Sequence, residues 1–155
     1  MNESEINVLL ENLKQPDETV RRQATHKLWK IWFEQKGTTG LEQIRKAEVW
    51  LQTGNTTEAE AVLTRLIEDL PDFAEAWNRR AVLYYITEQY DKALADCKQV
   101  IELNPIHFGA IHGMGLCYAA RGDFSAAIRA FRQALEIQPY SVENQRLILE
   151  CTNQL

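Results

Sequence analysis

Apolar residues in this chain recur at intervals of three and four and show no sustained alternation. Ala93, Cys97 and Val100 stand at i, i+4 and i+7, and Ala127, Phe131 and Ala134 repeat the arrangement. Each set draws one apolar stripe along a helix. Val, Ile and Thr are scattered, so the pattern predicts helices and no strands. Pro71, Pro105 and Pro139 stand 34 residues apart, each closing a helical stretch; proline lacks the backbone donor and disfavours helical geometry before it. Shifting the chain by that period superposes Ala47, Ala81 and Gly115, then Trp50, Tyr84 and Tyr118. Ala59, Ala93 and Ala127 follow, then Leu63, Cys97 and Phe131. Small residues at two points of each period allow two helix axes to approach, and bulky residues one turn away fill the space around the crossing. Each period is therefore expected to be an antiparallel helical pair.

The punctuation agrees. Asp72 with Glu75, and Thr57 with Glu60, have the spacing of capping boxes at helix starts. Gly54 and Gly122 fall between the paired helices, where a left-handed C-cap is easiest for glycine. The middle period has Glu88 there, so its turn is expected to be the least ideal.

This 34-residue pattern resembles the tetratricopeptide repeat. The third period carries the resemblance best, through Ile111, Met114, Gly115, Tyr118, Ala127, Phe131 and Pro139. The second matches through Trp77, Ala81, Tyr84, Ala93 and Pro105, with Arg80 where a leucine is usual, and the first is weaker, with Gln43 and Lys46 at apolar places. The resemblance implies an all-α, right-handed α-α superhelix of three repeats, over residues 40–73, 74–107 and 108–141. The stretch from Phe73 to Ala81, with His107 to Ala110 downstream, also resembles small bacterial and plastid-type repeat proteins of no settled activity. That likeness supplies a fold and not a function.

A solenoid needs covered ends. Ser141 is a plausible N-cap for a C-terminal capping helix over residues 142–155. Leu147, Ile148 and Cys151 form its apolar face, while Asn144, Gln145, Glu150 and Asn153 are expected to face water. Residues 1–39 read as a non-repeat helical pair: Ile6 to Leu13, then Pro16 and Asp17 opening a longer helix to about Gln35. Val20, Ala24, Leu28, Ile31 and Trp32 share one side of it. Trp29, Trp32 and Phe33 either pack over the first repeat, as large aromatics favour burial, or form an exposed patch for a partner or a second copy.

Composition narrows the chemistry. Of 155 residues, 45% are hydrophobic and 25% charged, which suits a globular chain. The net charge is −5 and the basic residues are dispersed, so neither a nucleic-acid stripe nor a basic membrane patch is expected. The apolar run Ala81 to Ile86 is too short to cross a bilayer. The acidic start Met1-Asn2-Glu3-Ser4-Glu5 lacks the form of a secretory signal, and Cys97, Cys117 and Cys151 have no paired spacing. Both point to reduced thiols in a cytoplasmic setting. His107, His112 and Cys117 are spaced by five, about 140° apart on a helix, and do not converge on a metal. Cys97 and Cys117 hold core positions rather than nucleophilic ones. Paired carboxylates such as Glu58 and Glu60 read as solvated charge, and Asn55-Thr56-Thr57 as an inter-helix turn. Gly109, Gly113 and Gly115 do not follow a strand, so no nucleotide loop is expected. No enzymatic activity and no cofactor are expected.

The resemblance further implies that the first helix of each repeat lines a concave groove for extended or helical peptides. Carried onto this sequence, the groove positions are Ile44, Arg45 and Glu48, then Glu75, Asn78, Arg79, Val82, Tyr85 and Ile86, then Gly109, His112, Gly113, Leu116 and Ala120. Relatives that grip acidic chaperone tails use lysine, asparagine and arginine at places held here by Ile44, Glu48, Arg79, Gly109 and Gly113, so that ligand is disfavoured. Gly109 and Gly113, one turn apart, either pack closely on the preceding helix or clear a floor for a partner backbone, with Val82, Tyr85 and Leu116 as anchors. The expected function is a protein-binding adaptor, scaffold or assembly factor, monomeric, with a peptide in the groove. The alternative is a self-associating module pairing through Trp29, Trp32 and Phe33.

Overall fold

The computed structural model describes residues 3–155; Met1 and Asn2, which open the acidic N-terminal stretch, lie outside the described residues. The described residues are helical throughout, without a strand. A hairpin of α1 (Glu3–Asn12) and α2 (Glu18–Phe33) precedes three antiparallel pairs. These are α3 (Gly37–Gln52) with α4 (Thr56–Asp69), α5 (Ala74–Ile86) with α6 (Tyr90–Leu103), and α7 (Phe108–Ala120) with α8 (Phe124–Ile137). The last helix is α9 (Val142–Thr152).

The small residues lie where the pairs cross: Ala47, Ala59, Ala81, Ala93 and Ala127 are buried. At Gly115 a Cβ would stand 2.5 Å from the Phe131 ring, so the third crossing admits no larger residue without movement. Leu63, Cys97 and Phe131 fill the same level in successive second helices. The three turns within pairs are copies of one another. The amides of Asn55, Gln89 and Asp123 donate to the carbonyls of Trp50, Tyr84 and Tyr118 at 2.8, 2.8 and 2.9 Å. The residue before each has positive φ, +81° at Gly54, +61° at Glu88 and +80° at Gly122. Glu88 holds the left-handed C-cap against the preference of a side chain, as its place in the period led one to expect.

The expected capping boxes do not form. The N-caps of α4 and α5 are Asn55 and Phe73, neither with a side-chain cap bond. Thr57 lies inside α4, Asp72 accepts from Lys36 Nζ at 2.7 Å, and Glu75 turns into the interior. Arg80, at the place usual for leucine, donates to both Asp96 oxygens at 2.7 and 2.9 Å and to Thr64 at 3.3 Å, tying α5 to α6 and α4.

Successive first helices touch, α3 on α5 and α5 on α7, while successive second helices make no comparable contact. The first helices therefore form the inner side of a right-handed superhelix. At its C-terminal end Leu147, Ile148 and Cys151 of α9 pack on Ala127, Ile128 and Phe131, and Ser141 Oγ caps the helix by accepting from Asn144 N. Asn144 does not face water: its side chain is buried and accepts from His112 Nδ1 at 2.7 Å. The three cysteines are buried free thiols. The Cys97 thiol, in contact with Cys117 and desolvated, is pushed far above the usual thiol range.

The N-terminal hairpin departs most from expectation. Its end packs through Phe33 on the core that includes Ile44, Ala47 and Leu63 of the first repeat, but α2 as a whole runs along the edge where one repeat hands over to the next. Lys36, just beyond it, meets Asp72 between α4 and α5; Trp32 meets His107 and Phe108 at the start of α7; Arg21 lies 4.2 Å over the Tyr140 ring between α8 and α9. The reason is chemical. Helix α3 presents Glu42, Arg45 and Lys46 to water, whereas the handover edge offers Ile106, Phe108 and Ile137 to Leu28 and Trp32.

Candidate functional site

The inner face divides into two halves. The half at the starts of α5 and α7 is roofed by α2. His107 is fully enclosed and caps α7: its Nδ1 accepts from the Ala110 amide at 3.0 Å, leaving the proton on Nε2, which donates to Glu75 Oε2 at 2.8 Å. The other Glu75 oxygen accepts from Asn78 Nδ2 at 3.1 Å and Arg79 Nε at 2.9 Å. Arg79 Nη1 reaches on to Glu48 at 3.3 Å. Glu75 is fully buried, and three donors take the place of water around its side-chain oxygens.

Above this cluster Trp32 stacks on His107, with ring centroids 4.4 Å apart and planes at 21°, and Trp29 meets His107 and Phe108 edge-on. The Arg79 guanidinium faces the Phe33 ring at 5.0 Å and Trp29 at 5.7 Å, a cation–π arrangement. A Cβ on Gly109 would stand 2.5 Å from the Trp29 ring. The clearance at Gly109 therefore admits the chain's own tryptophan, and neither α6 nor a free opening accounts for it. At Gly113 a Cβ would meet Cys97 Sγ of α6 at 3.4 Å, an ordinary contact.

The groove positions thus separate. Ile44 is buried in the core rather than lining an open surface, and Asn78 and Glu75 are enclosed. Arg79 is bound to two carboxylates and His112 to α9. Trp32 is buried and Trp29 and Phe33 half-buried, all three engaged within the chain, so the surface expected to meet a second copy is occupied in this arrangement. The other half of the inner face is open. Val82 and Ile86 are 36% and 57% exposed, Ala120 is exposed, and Gly113 and Leu116 are half-buried. A cleft of about 220 Å³ between α3 and α5 has Glu48, Gln52, Arg79 and Val82 at its walls and Ala47, Leu63 and Leu83 at its floor. Tyr85 leans on Tyr90 with ring centroids 5.6 Å apart, and burial pushes its hydroxyl pKa up. Arg79 pairs with Glu48 at the edge of this half, and the exposed side chains of Val82 and Ile86 make the surface beside the pair apolar.

Among the described residues no three His, Cys, Asp or Glu side chains converge to hold a metal, and no helix is long and apolar enough to cross a membrane. The Glu75–His107 pair escaped sequence reasoning. The period held a signal for it, since His107 superposes on Phe73 and Ser141, the N-caps of the neighbouring first helices.

Residues 74–107 and 110–141 match the family described as Tetratricopeptide repeat. A TPR repeat-containing protein of Rhizobium etli is 38% identical over 69 residues, 44% of this chain and 34% of that protein. An SGT1 homolog of Bos taurus is 28% identical over 57% of this chain and 26% of its own length. The chain thus spans about a third or less of these relatives. Among solved structures, the first TPR of Spaghetti (RPAP3), bound to the HSP90 peptide SRMEEVD, superposes with a TM-score of 0.70 at 20% identity, covering 73% of this chain and 90% of that one. MamA superposes with a TM-score of 0.68 at 19% identity, over 72% of this chain and 65% of its own. At these identities the likeness concerns the fold.

Proposed function

We propose that this chain, two of whose helical pairs match the Tetratricopeptide repeat family, is a protein-interaction module that takes a peptide segment of a partner protein on the open half of its inner face, serving as an adaptor or assembly factor in a cytoplasmic setting. The observation that carries this reading is the exposure of Val82 and Ile86 beside the cleft between α3 and α5, where Arg79 pairs with Glu48. Contiguous exposed apolar side chains on a water-facing surface favour a partner, and a few well-packed anchors dominate such binding. The preferred segment is apolar, with Val82, Ile86 and Leu116 as anchors and Gln52 for a backbone hydrogen bond. Acidic chaperone tails, such as the peptide in the Spaghetti complex, remain disfavoured here. Ile44 is buried, Gly109 is roofed, and Arg79 already serves two carboxylates. Self-association through Trp29, Trp32 and Phe33 gains no support, because those rings are engaged within the chain.

The test compares immobilised wild type, Val82→Asp and Glu102→Lys, the last on the outer helix α6, as baits for extract of the native host. The expected result is a set of proteins retained by wild type and Glu102→Lys and lost from Val82→Asp, with circular dichroism unchanged. Identical sets on all three would remove the open half as the binding surface.

A further inference from the structure

The roofed half of the inner face is built as a surface complete without its roof. Under Trp29 and Trp32 lies a cluster of Glu75, His107, Asn78 and Arg79, where a permanent core would hold apolar side chains. None of the hydrogen bonds of these four residues goes to α2; they run among α3, α5 and α7 and the cap of α7. No buried side-chain nitrogen or oxygen among the described residues lacks a partner, and α2 supplies none of those that satisfy this cluster. To the cluster itself α2 contributes a stack on His107, two cation–π contacts from Arg79, and one ring of Trp29 in the notch left by Gly109, and beside it Leu28 and Trp32 pack on Ile106, Phe108 and Ile137. The fit is one of shape and rings rather than charge: Arg22, Lys27 and Lys30 of α2 are exposed, and the cation at the contact is Arg79 of the seat, facing Trp29 and Phe33.

We propose that this seat is a second binding site, for an amphipathic helix with aromatic residues at i, i+3 and i+4, and that α2 is its resident occupant, exchangeable for such a helix from a partner protein. Trp29, Trp32 and Phe33 define the pattern. Lifting α2 uncovers apolar and ring surface but orphans no hydrogen bond of the cluster, so an incoming helix with the same three rings and an apolar residue at the place of Leu28 restores what is lost. Its apparent affinity is reduced by the fraction of molecules in which α2 fills the seat.

The probe is a labelled synthetic peptide of residues 18–36, titrated by fluorescence anisotropy against the full-length chain. The expected result is binding at least ten-fold tighter to Trp29→Ala/Trp32→Ala than to wild type. A peptide with both tryptophans replaced by alanine should not bind, and adding Gly109→Leu to the double variant, which fills the notch, should abolish uptake. Val82→Asp, on the open half, should leave peptide binding intact, so this site and the one proposed above stand or fall separately. Should the double variant lose its helical signal, hydrogen exchange of the wild type decides: excess peptide should lower protection across residues 18–33 and leave α5 to α8 unchanged. Absence of binding to a folded double variant, or α2 protection indifferent to peptide, would overturn the proposal. So would a doubled mass by light scattering without peptide uptake, which would assign the seat to a second copy.

Discussion

Glu88 adopts φ +61° at the turn where the other two pairs use Gly54 and Gly122. A side chain in that region is disfavoured by roughly 1 kcal/mol, and no glycine relieves it here. Glu88→Gly is therefore expected to stabilise the chain by about 0.5–1 kcal/mol, seen as a higher urea midpoint with unchanged slope. Two helical glycines make the opposite contrast. At Gly113 a Cβ meets Cys97 at 3.4 Å, so Gly113→Ala should gain up to about 1 kcal/mol of helix propensity. At Gly115 an added Cβ would stand 2.5 Å from the ring of the fully buried Phe131, so Gly115→Ala should cost about 1–3 kcal/mol. The same denaturation series orders all three. At this scale the period reveals whatever is repeated: Glu88 is legible because Gly54 and Gly122 stand one period to either side. Gly109 was not, because the ring that explains it comes from outside the repeats.

Between elements, the joint made by Arg80 shows what a departure from the usual pattern signifies. The Arg80 and Asp96 side chains are 16% and 6% exposed, and the Asp96 carboxylate beside it raises the arginine pKa further. Arg80→Leu restores the residue usual for the repeat but strands Asp96, and should cost about 3–5 kcal/mol in thermal or chemical unfolding. Arg80→Leu combined with Asp96→Ala should recover most of that loss, since no buried charge then lacks a partner. A cost in the double variant equal to that of the single would show that the pair contributes through packing instead. The sequence marked Arg80 as unusual without naming Asp96, because a stripe of apolar positions says nothing about which polar side chains meet across it. The path of α2 was hidden for a related reason: hydrophobic periodicity identifies a helix and its buried side, but the surface that receives it is assembled from three separated handover loops.

Across the whole molecule, burial is uneven. Helix α1 has no fully buried residue, while α5 to α8 each contribute five or more to the core. Amide exchange should follow that gradient, fastest over residues 3–12, slowest over α5 to α8, with α2 between. Equal protection in α1 and α7 would contradict the layered arrangement. The superhelix itself was readable from four superposed sets of residues and three prolines, because stacking of identical pairs leaves its period in the chain. The division of the inner face into an open half, toward the ends of α5 and α7, and a roofed half, at their starts, was not, since it is made by α2, which lies outside the period.

The enclosed thiols give the chain a built-in stopwatch. Cys97 and Cys117 sit between the second and third pairs and Cys151 beneath the final helix, each at most 3% exposed. A maleimide reagent should leave the native chain unmodified and react as layers part, with Cys151 preceding the other two if the C-terminal end frays first. A cysteine placed at Val82 would then carry the label alone at early times, and its quenching would report arrivals on the open half of the inner face.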